Sequence, residues 1–194
     1  ACAAGKYKTS AGASPCSLCA PGTYSSSEAG VSPQICRACP PNSFSQDAGS
    51  VSPSNCTCIA GHYSASGHVS AAVGCVPCEE GTFKAKHGMQ ACSKCAAGLY
   101  SAPGASTCRR CPEFSYSEAG GVCGCFKGFT GPNNGPCRPC EAATYKDVNG
   151  SSSCLPCPPS SWAPAAAISL SACTTALSGE VLKIKISLPL SMIE

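Results

Sequence analysis

Twenty cysteines, spaced by one rule from end to end, constrain this 194-residue chain more than any other feature. They fall as Cys2 alone, then as doublets at Cys16/Cys19, Cys36/Cys39, Cys56/Cys58, Cys75/Cys78, Cys92/Cys95, Cys108/Cys111, Cys123/Cys125, Cys137/Cys140 and Cys154/Cys157, and last as Cys173 alone. Seven doublets are CxxC and two are CxC. Single cysteines at both ends let every cysteine bond the next one outside its own doublet. The pairs are Cys2 with Cys16, Cys19 with Cys36, Cys39 with Cys56, Cys58 with Cys75, Cys78 with Cys92, Cys95 with Cys108, Cys111 with Cys123, Cys125 with Cys137, Cys140 with Cys154 and Cys157 with Cys173. None is left over, and the chain becomes ten loops closed in series.

A second register runs through the same loops. Five residues after each loop-opening cysteine stand Tyr7, Tyr24, Phe44, Tyr63, Phe83, Tyr100, Tyr116, Tyr145 and Trp162, which covers nine loops of ten and all six tyrosines. The loop opened by Cys125 departs, with Thr130 at that place and Phe129 one earlier. Four to six residues past the aromatic lie Gly12, Gly30, Gly49, Gly67, Gly88, Gly104, Gly120 and Gly150, where a tight turn needs positive φ. Each loop therefore reads as a hairpin with the aromatic on its first strand. A lone two-stranded hairpin is marginal in water, so a disulfide worth roughly 3 kcal/mol in the chain-entropy account must close it. The expected fold class is small disulfide-rich β: a tandem array of short hairpin modules forming an elongated rod, each unit contacting only its neighbours, plus a C-terminal β-strand.

Composition agrees with that class. Cysteine, 20 Gly and 17 Pro stand against only 12% charged residues, the profile of a disulfide framework in an oxidising compartment, hence an extracellular or cell-surface chain. The net charge of +3 comes from scattered Lys and Arg, with Arg109-Arg110 and Lys183/Lys185 the close pairs, so no clustered basic face for nucleic acid is expected. No apolar run long enough to span a membrane occurs, and the first residue is not Met, so the reading is a mature piece of something longer. Zinc is the competing use of the doublets, since Cys16/Cys19 and Cys36/Cys39 match a four-cysteine ribbon. Metal sites would consume doublets in twos, leaving one of nine over and stranding Cys2 and Cys173. His62, His68, His87, Asp47 and Asp147 are too scattered for a triad or a carboxylate dyad; no cofactor and no enzyme activity are expected.

Two N-glycosylation acceptor patterns occur, Asn55-Cys56-Thr57 and Asn149-Gly150-Ser151, the second in an expected turn. Ser14-Pro15, Ser32-Pro33 and Ser52-Pro53 recur late in three loops, as turn chemistry or as O-glycosylation sites. The array is assigned to residues 1–173, a linker to 174–180 and a strand to 181–194, where Leu182, Ile184, Ile186 and Leu188 alternate with Lys183, Lys185 and Ser187. Those four apolar residues form an interaction face, either the start of a following domain or an edge that pairs with another subunit.

The stretches Cys19-APGTY, Cys39-PPNSFSQDAGS and Cys56-T-Cys58-IAGHYS resemble the cysteine-rich repeats of ephrin-receptor ectodomains, with tumour necrosis factor receptor modules as more distant relatives. FKGFTGPNNGPC looks like the last part of an epidermal-growth-factor-like domain, and the run from Cys123 to Ser161 is similar to long arrays in extracellular proteins of algae and other protists. The resemblance implies neighbour-to-neighbour disulfides and, after residue 181, the opening of an α/β domain. The chain lacks the receptors' ligand-binding and kinase regions, so signalling does not carry over. The function expected is a structural extracellular protein: a glycosylated stalk of a cell-surface filament, appendage or matrix, whose partners are copies of itself or other extracellular glycoproteins. The alternative is a receptor-type ectodomain segment that binds a protein ligand.

Overall fold

The computed structural model describes residues 1–70 and 73–175. Within them lie ten two-stranded antiparallel sheets, one per loop, and all twenty cysteines are joined in ten disulfides in series. Loop 1 is Cys2–Cys16, loop 2 Cys19–Cys36, loop 3 Cys39–Cys56, loop 4 Cys58–Cys75 and loop 5 Cys78–Cys92. Loop 6 is Cys95–Cys108, loop 7 Cys111–Cys123, loop 8 Cys125–Cys137, loop 9 Cys140–Cys154 and loop 10 Cys157–Cys173. In each, a two-residue strand ending at the aromatic position pairs with the residues that follow the closing cysteine, as Thr23–Tyr24 pairs with Arg37–Ala38. The tenth hairpin takes in Thr174–Thr175, so it runs two residues past Cys173 into the stretch read as a linker.

Strands this short cannot hold themselves together, and the backbone between loops shows what does. The residue three past every opening cysteine has positive φ: Gly5, Gly22, Asn42, Gly61, Gly81, Gly98, Phe114, Gly128, Ala143 and Ser160. That turn aims its N–H at the next loop, where Gly5 donates to Ser25 O (2.8 Å), Gly61 to Lys84 O (2.8 Å) and Gly128 to Lys146 O (2.9 Å). Its carbonyl accepts the N–H of the next opening cysteine, as Cys19 to Gly5 O at 2.9 Å. A return rung comes from the turn past the aromatic: Gly49 N–H to Cys19 O, Gly104 N–H to Cys78 O and Gly150 N–H to Cys125 O, each 2.8 Å. Most of those turn residues are the glycines that spacing picks out. In loop 2, however, the left-handed residue is Ala29 (φ 52) and not Gly30, and it is Ala29 that donates to Cys2 O at 2.7 Å.

Two of the three rungs are missing in two places among the described residues, between loops 3 and 4 and between loops 7 and 8. These are the CxC doublets. Shortening the doublet puts the opening cysteine itself into the closing strand, as in Thr57–Cys58 and Gly124–Cys125, so the next loop leaves from a shifted position. Displaced backbone bonds remain, Cys75 N–H to Pro41 O (3.0 Å) and Asn134 N–H to Cys123 O (2.9 Å), and side chains add to them. Asn42 donates its amide to Cys75 O (3.0 Å), and the Phe114 ring stacks on Phe129 with centroids 4.4 Å apart and planes 7° off parallel. The stack accounts for Phe129 standing one place before the aromatic register. The array thus divides into loops 1–3, 4–7 and 8–10.

Within a group, contact reaches the second neighbour, which corrects the expectation that loops touch only adjacent ones. The Cα of Gly5 lies against the Gly49 carbonyl, Gly61 against that of Gly104, Gly81 against that of Gly120 and Gly128 against that of Ala166. The four non-glycine residues at the same turn, Asn42, Phe114, Ala143 and Ser160, belong to loops 3, 7, 9 and 10, which have no second neighbour ahead in their group. One side-chain bond reaches further, Asn134 Nδ2 to Glu80 Oε1 at 2.7 Å, between loops 8 and 5. No hydrogen bond among the described residues joins loops more than three apart, which keeps the array linear. The apolar core is correspondingly small: Tyr24, Cys56, Cys58, Val69 and Cys75 form its one cluster among the described residues.

Gly61→Ala places a methyl on the Gly104 carbonyl at a left-handed φ that by itself costs a side-chain-bearing residue about 1–2 kcal/mol. It is expected to lower the thermal midpoint and the yield of correctly bonded protein, whereas Ala143→Gly, at the equivalent turn of loop 9, leaves both near wild type. Differential scanning fluorimetry with a non-reducing disulfide map reads the two variants side by side.

Candidate functional site

In eight of the nine loops that carry the register aromatic, the residue after it is buried, because the neighbouring loop closes over it. Ser25, Ser45, Ser64, Ser101, Ser117, Lys84, Lys146 and Ala163 all occupy that place and all are buried. A buried hydroxyl must find a partner, and for three of these serines it is the preceding hairpin: Ser45 Oγ donates to Thr23 O (3.2 Å), Ser101 Oγ to Thr82 O (2.8 Å) and Ser117 Oγ to Leu99 O (2.7 Å), whereas Ser64 Oγ donates to His68 O (2.7 Å) and Ser25 Oγ accepts the Ser27 N–H (3.2 Å) within their own loops.

Lysine does the same work over a longer reach. Lys84 Nζ donates to His62 O (2.7 Å) in loop 4 and to Gly88 O in its own loop. Lys146 Nζ donates to Phe129 O (2.7 Å) in loop 8 and to Gly150 O (2.5 Å). Lys8 holds Gly12 O (2.6 Å) from the equivalent position in loop 1. These three loops share a sequence separation of 14 between their cysteines, so lysine at this register belongs to one loop length. Burial pushes the Lys84 and Lys146 ammonium groups below the ordinary 10.5, against the pull of the carbonyls they hold. Each gives two of its protons to backbone oxygens and so braces a turn.

Surface chemistry is concentrated elsewhere. The dipeptides between CxxC cysteines are exposed, and they carry Arg37, Lys94, Arg109, Arg110 and Arg138 with no Asp or Glu. A concavity of about 420 Å³ lies along loop 6, lined by Tyr100 to Thr107 and Arg109. A second, of about 330 Å³, lies across the junction of loops 7 and 8 and is walled by Tyr116, Val122 and Phe126, with Glu118, Asn133 and Asn149 at its polar side. Exposed Phe114, at 50%, Tyr116, at 48%, and Phe126, at 41%, make this the most aromatic stretch of the surface. Nothing in the cysteine register points to that cleft. Of its lining, Tyr116 and Gly150 stand in the register like their counterparts elsewhere, Glu118, Val122, Phe126 and Asn133 stand outside it, and only the doubled phenylalanines Phe114 and Phe129 near a CxC doublet mark the place in sequence.

The residues singled out by sequence fall as follows. All twenty cysteines are in disulfides, which leaves none to bind zinc. Asn149 is exposed, and its Oδ1 accepts the Lys127 N–H (3.0 Å). Asn55 is exposed too, but its Oδ1 caps a 3-10 turn by accepting the Val51 and Ser52 N–H groups (3.3 and 3.0 Å), and Cys56 beside it is fully buried. Ser32 and Ser52 cap short 3-10 turns whose first residues are Pro33 and Pro53, so the recurring Ser-Pro has a structural use. His62 and His68 each turn Nδ1 to a backbone oxygen two residues back, Ala60 O and Ser66 O, and no group of three His, Cys, Asp or Glu among the described residues could hold a metal ion. No helix among them is long and apolar enough to cross a membrane. Leu182, Ile184, Ile186 and Leu188 lie outside the described residues.

Two comparisons place this architecture among known proteins. A family model described as tyrosine-protein kinase ephrin type A/B receptor-like matches residues 5–56, 61–102 and 128–173. Mouse thyroglobulin is 37% identical over 68 residues, 33% of this chain and 2% of thyroglobulin. The chain thus spans a small fraction of that relative's length. The unmatched stretch 103–127 contains the second CxC doublet and much of the aromatic cleft.

Removing a buried lysine head strands the carbonyls it holds, a cost of about 1–3 kcal/mol. Lys146→Met is therefore expected to speed exchange of the Gly150 amide, which bonds Cys125 O, by roughly 5- to 150-fold while amides of loops 1–3 keep their wild-type rates. Hydrogen exchange followed by NMR gives both numbers in one experiment.

Proposed function

Because the chain belongs to the ephrin type A/B receptor-like family of cysteine-rich repeats, an extracellular type of module, we propose that it serves as a structural stalk in a cell-surface or matrix assembly. The observation that carries this reading is the investment of the backbone. Turn N–H groups, turn carbonyls and the groups beside the opening cysteines are spent on joining one hairpin to the next. Ten serial disulfides then close what those bonds align. Length and resistance to unravelling are what such an arrangement supplies, at little cost in apolar core. Glycans on Asn149, and on Asn55 where the cap at Ser52 permits, would shield the surface, and the alternating residues Leu182, Ile184, Ile186 and Leu188 are the proposed contact to a further domain or a second copy.

A second reading, a receptor-type segment that binds a protein ligand, is favoured by one feature: three exposed aromatics gathered in loops 7 and 8 and not spread along the array. A ligand-binding array places its contact in a few modules, whereas a spacer needs none.

Topology yields a test of the stalk. Residues inside a loop are spanned by a disulfide, while the dipeptide between doublet cysteines is spanned by none. Within residues 1–173, limited trypsin digestion without reductant is expected to separate the chain only at Arg37, Lys94 and Arg109-Arg110, Arg138 being guarded by Pro139; beyond the last disulfide, Lys183 and Lys185 are also cut free. Cuts after Lys84, Lys86, Lys127 or Lys146 leave their halves joined until reductant is added. Small-angle scattering on the uncut protein should give a stiff, elongated particle that becomes a flexible coil on reduction. A compact particle, or an array that stays whole after cleavage at Arg109-Arg110, counts against a serial stalk.

A further inference from the structure

We propose that the cleft across loops 7 and 8 is the seat of a sugar carried by this same chain, the N-linked glycan of Asn149, with its first N-acetylhexosamine ring lying against Tyr116, Val122 and Phe126. This rests on the glycoprotein reading above and adds where the sugar goes.

Asn149 and Gly150, the first two residues of the acceptor pattern completed by Ser151, are themselves part of the cleft wall. The Asn149 amide is oriented, since its Oδ1 takes the N–H of Lys127, the residue next to Phe126. That leaves Nδ2, the atom that carries an N-glycan, without a protein partner among the described residues. The glycosylation step forms an Nδ2–C1 bond to the sugar and breaks the C1–O bond to phosphate in a lipid-pyrophosphate-linked oligosaccharide. The lipid pyrophosphate leaves, and the displaced amide proton passes to solvent.

Two half-exposed aromatic rings and a valine offer the flat apolar surface that the C–H face of a pyranose covers, and rings with one apolar side and one wet side are suited to such contacts. Glu118 and Asn133 on the rim provide a carboxylate and an amide for the hydroxyl and acetamido groups. The volume of about 330 Å³ fits one such ring and is near the low end of the roughly 300–1,000 Å³ usual for small-ligand sites. Asn55 makes the contrast: the concavity beside it is lined by Asp47, Ala48, Gly49, Ser50 and Val51, with no aromatic. A seated sugar would also join loop 9 to loop 7 across the junction where two backbone rungs are absent, and it would cover the aromatic patch that favours a protein ligand.

The test uses the secreted chain from a host that performs N-glycosylation, compared with Ser151→Ala, which removes the acceptor pattern at an exposed position. Peptide mapping first reads occupancy of Asn149; an unmodified Asn149 overturns the proposal together with the glycosylation reading. Hydroxyl-radical footprinting then reads ring exposure. Tyr116 and Phe126 are expected to be labelled roughly threefold less in the glycosylated chain than in Ser151→Ala, since a seated ligand buries most of the surface it touches. Phe44 and Trp162, exposed in other loops, should label equally in both. Enzymatic removal of the glycan from the folded protein should restore labelling of Tyr116 and Phe126. Equal labelling with Asn149 occupied overturns the seating alone and leaves the glycoprotein reading standing. Protection that persists in Ser151→Ala also overturns it and points to another occupant of the cleft.

Discussion

A hydrogen bond from a left-handed turn to the loop ahead is the contact on which this structure depends. The turn three residues past each opening cysteine takes positive φ in all ten loops, and in all but loops 3, 7 and 10 it throws both its N–H and its carbonyl forward, out of its own hairpin. A two-residue strand has almost no ladder of its own, so hairpins hold only as a series. The disulfide fixes which residues face each other within a loop, and the turn fixes how one loop sits on another. Glycine at Gly5, Gly61, Gly81 and Gly128 answers two demands at once: the backbone angle, and the close passage of a carbonyl from two loops away. Where the second demand lapses, glycine is kept at Gly22 and Gly98, but in four loops the angle is borne by Asn42, Phe114, Ala143 or Ser160, whose side chain becomes free for other uses.

Those uses are where the array acquires internal punctuation. Each CxC doublet shifts the next loop and breaks rungs, and a side chain at the turn takes over, an amide at Asn42 and a ring at Phe114. Lysine at the enclosed position likewise recurs every fourth loop, at Lys8, Lys84 and Lys146. Repeats that look interchangeable by cysteine count therefore carry distinct duties according to their place in a group.

The serial disulfide-closed hairpin fold was legible because cysteine spacing and the aromatic register both report one-dimensional order, and one-dimensional order is what a sequence displays most directly. Phe129 stood out as an exception in sequence, but its reason, a stacking partner at Phe114, lies across a junction that spacing does not reveal. The enclosed serines and lysines were not legible either. Ser25 or Lys146 looks like any surface residue until the neighbouring loop is seen to close over it. The aromatic cleft escaped for the same reason: Tyr116 reads as a register residue and Phe126 as a loop residue, and only the shifted packing of loops 7 and 8 brings them together.

Serial closure also decides how the chain bears a pull on its ends. Tension entering a loop at its first cysteine can leave through the sulfurs at its second, bypassing a sequence separation of 12 to 17. The path that carries load is a chain of disulfides linked by exposed doublet peptides. Most of the contour is held in reserve, and loops 2, 3 and 4, with the widest separations, store the most. Stretching the oxidised chain straightens its path without paying out slack. A reductant, or an exchanging thiol that opens one bridge, releases a single loop's length at a time, so compliance is set by redox chemistry in steps of one hairpin.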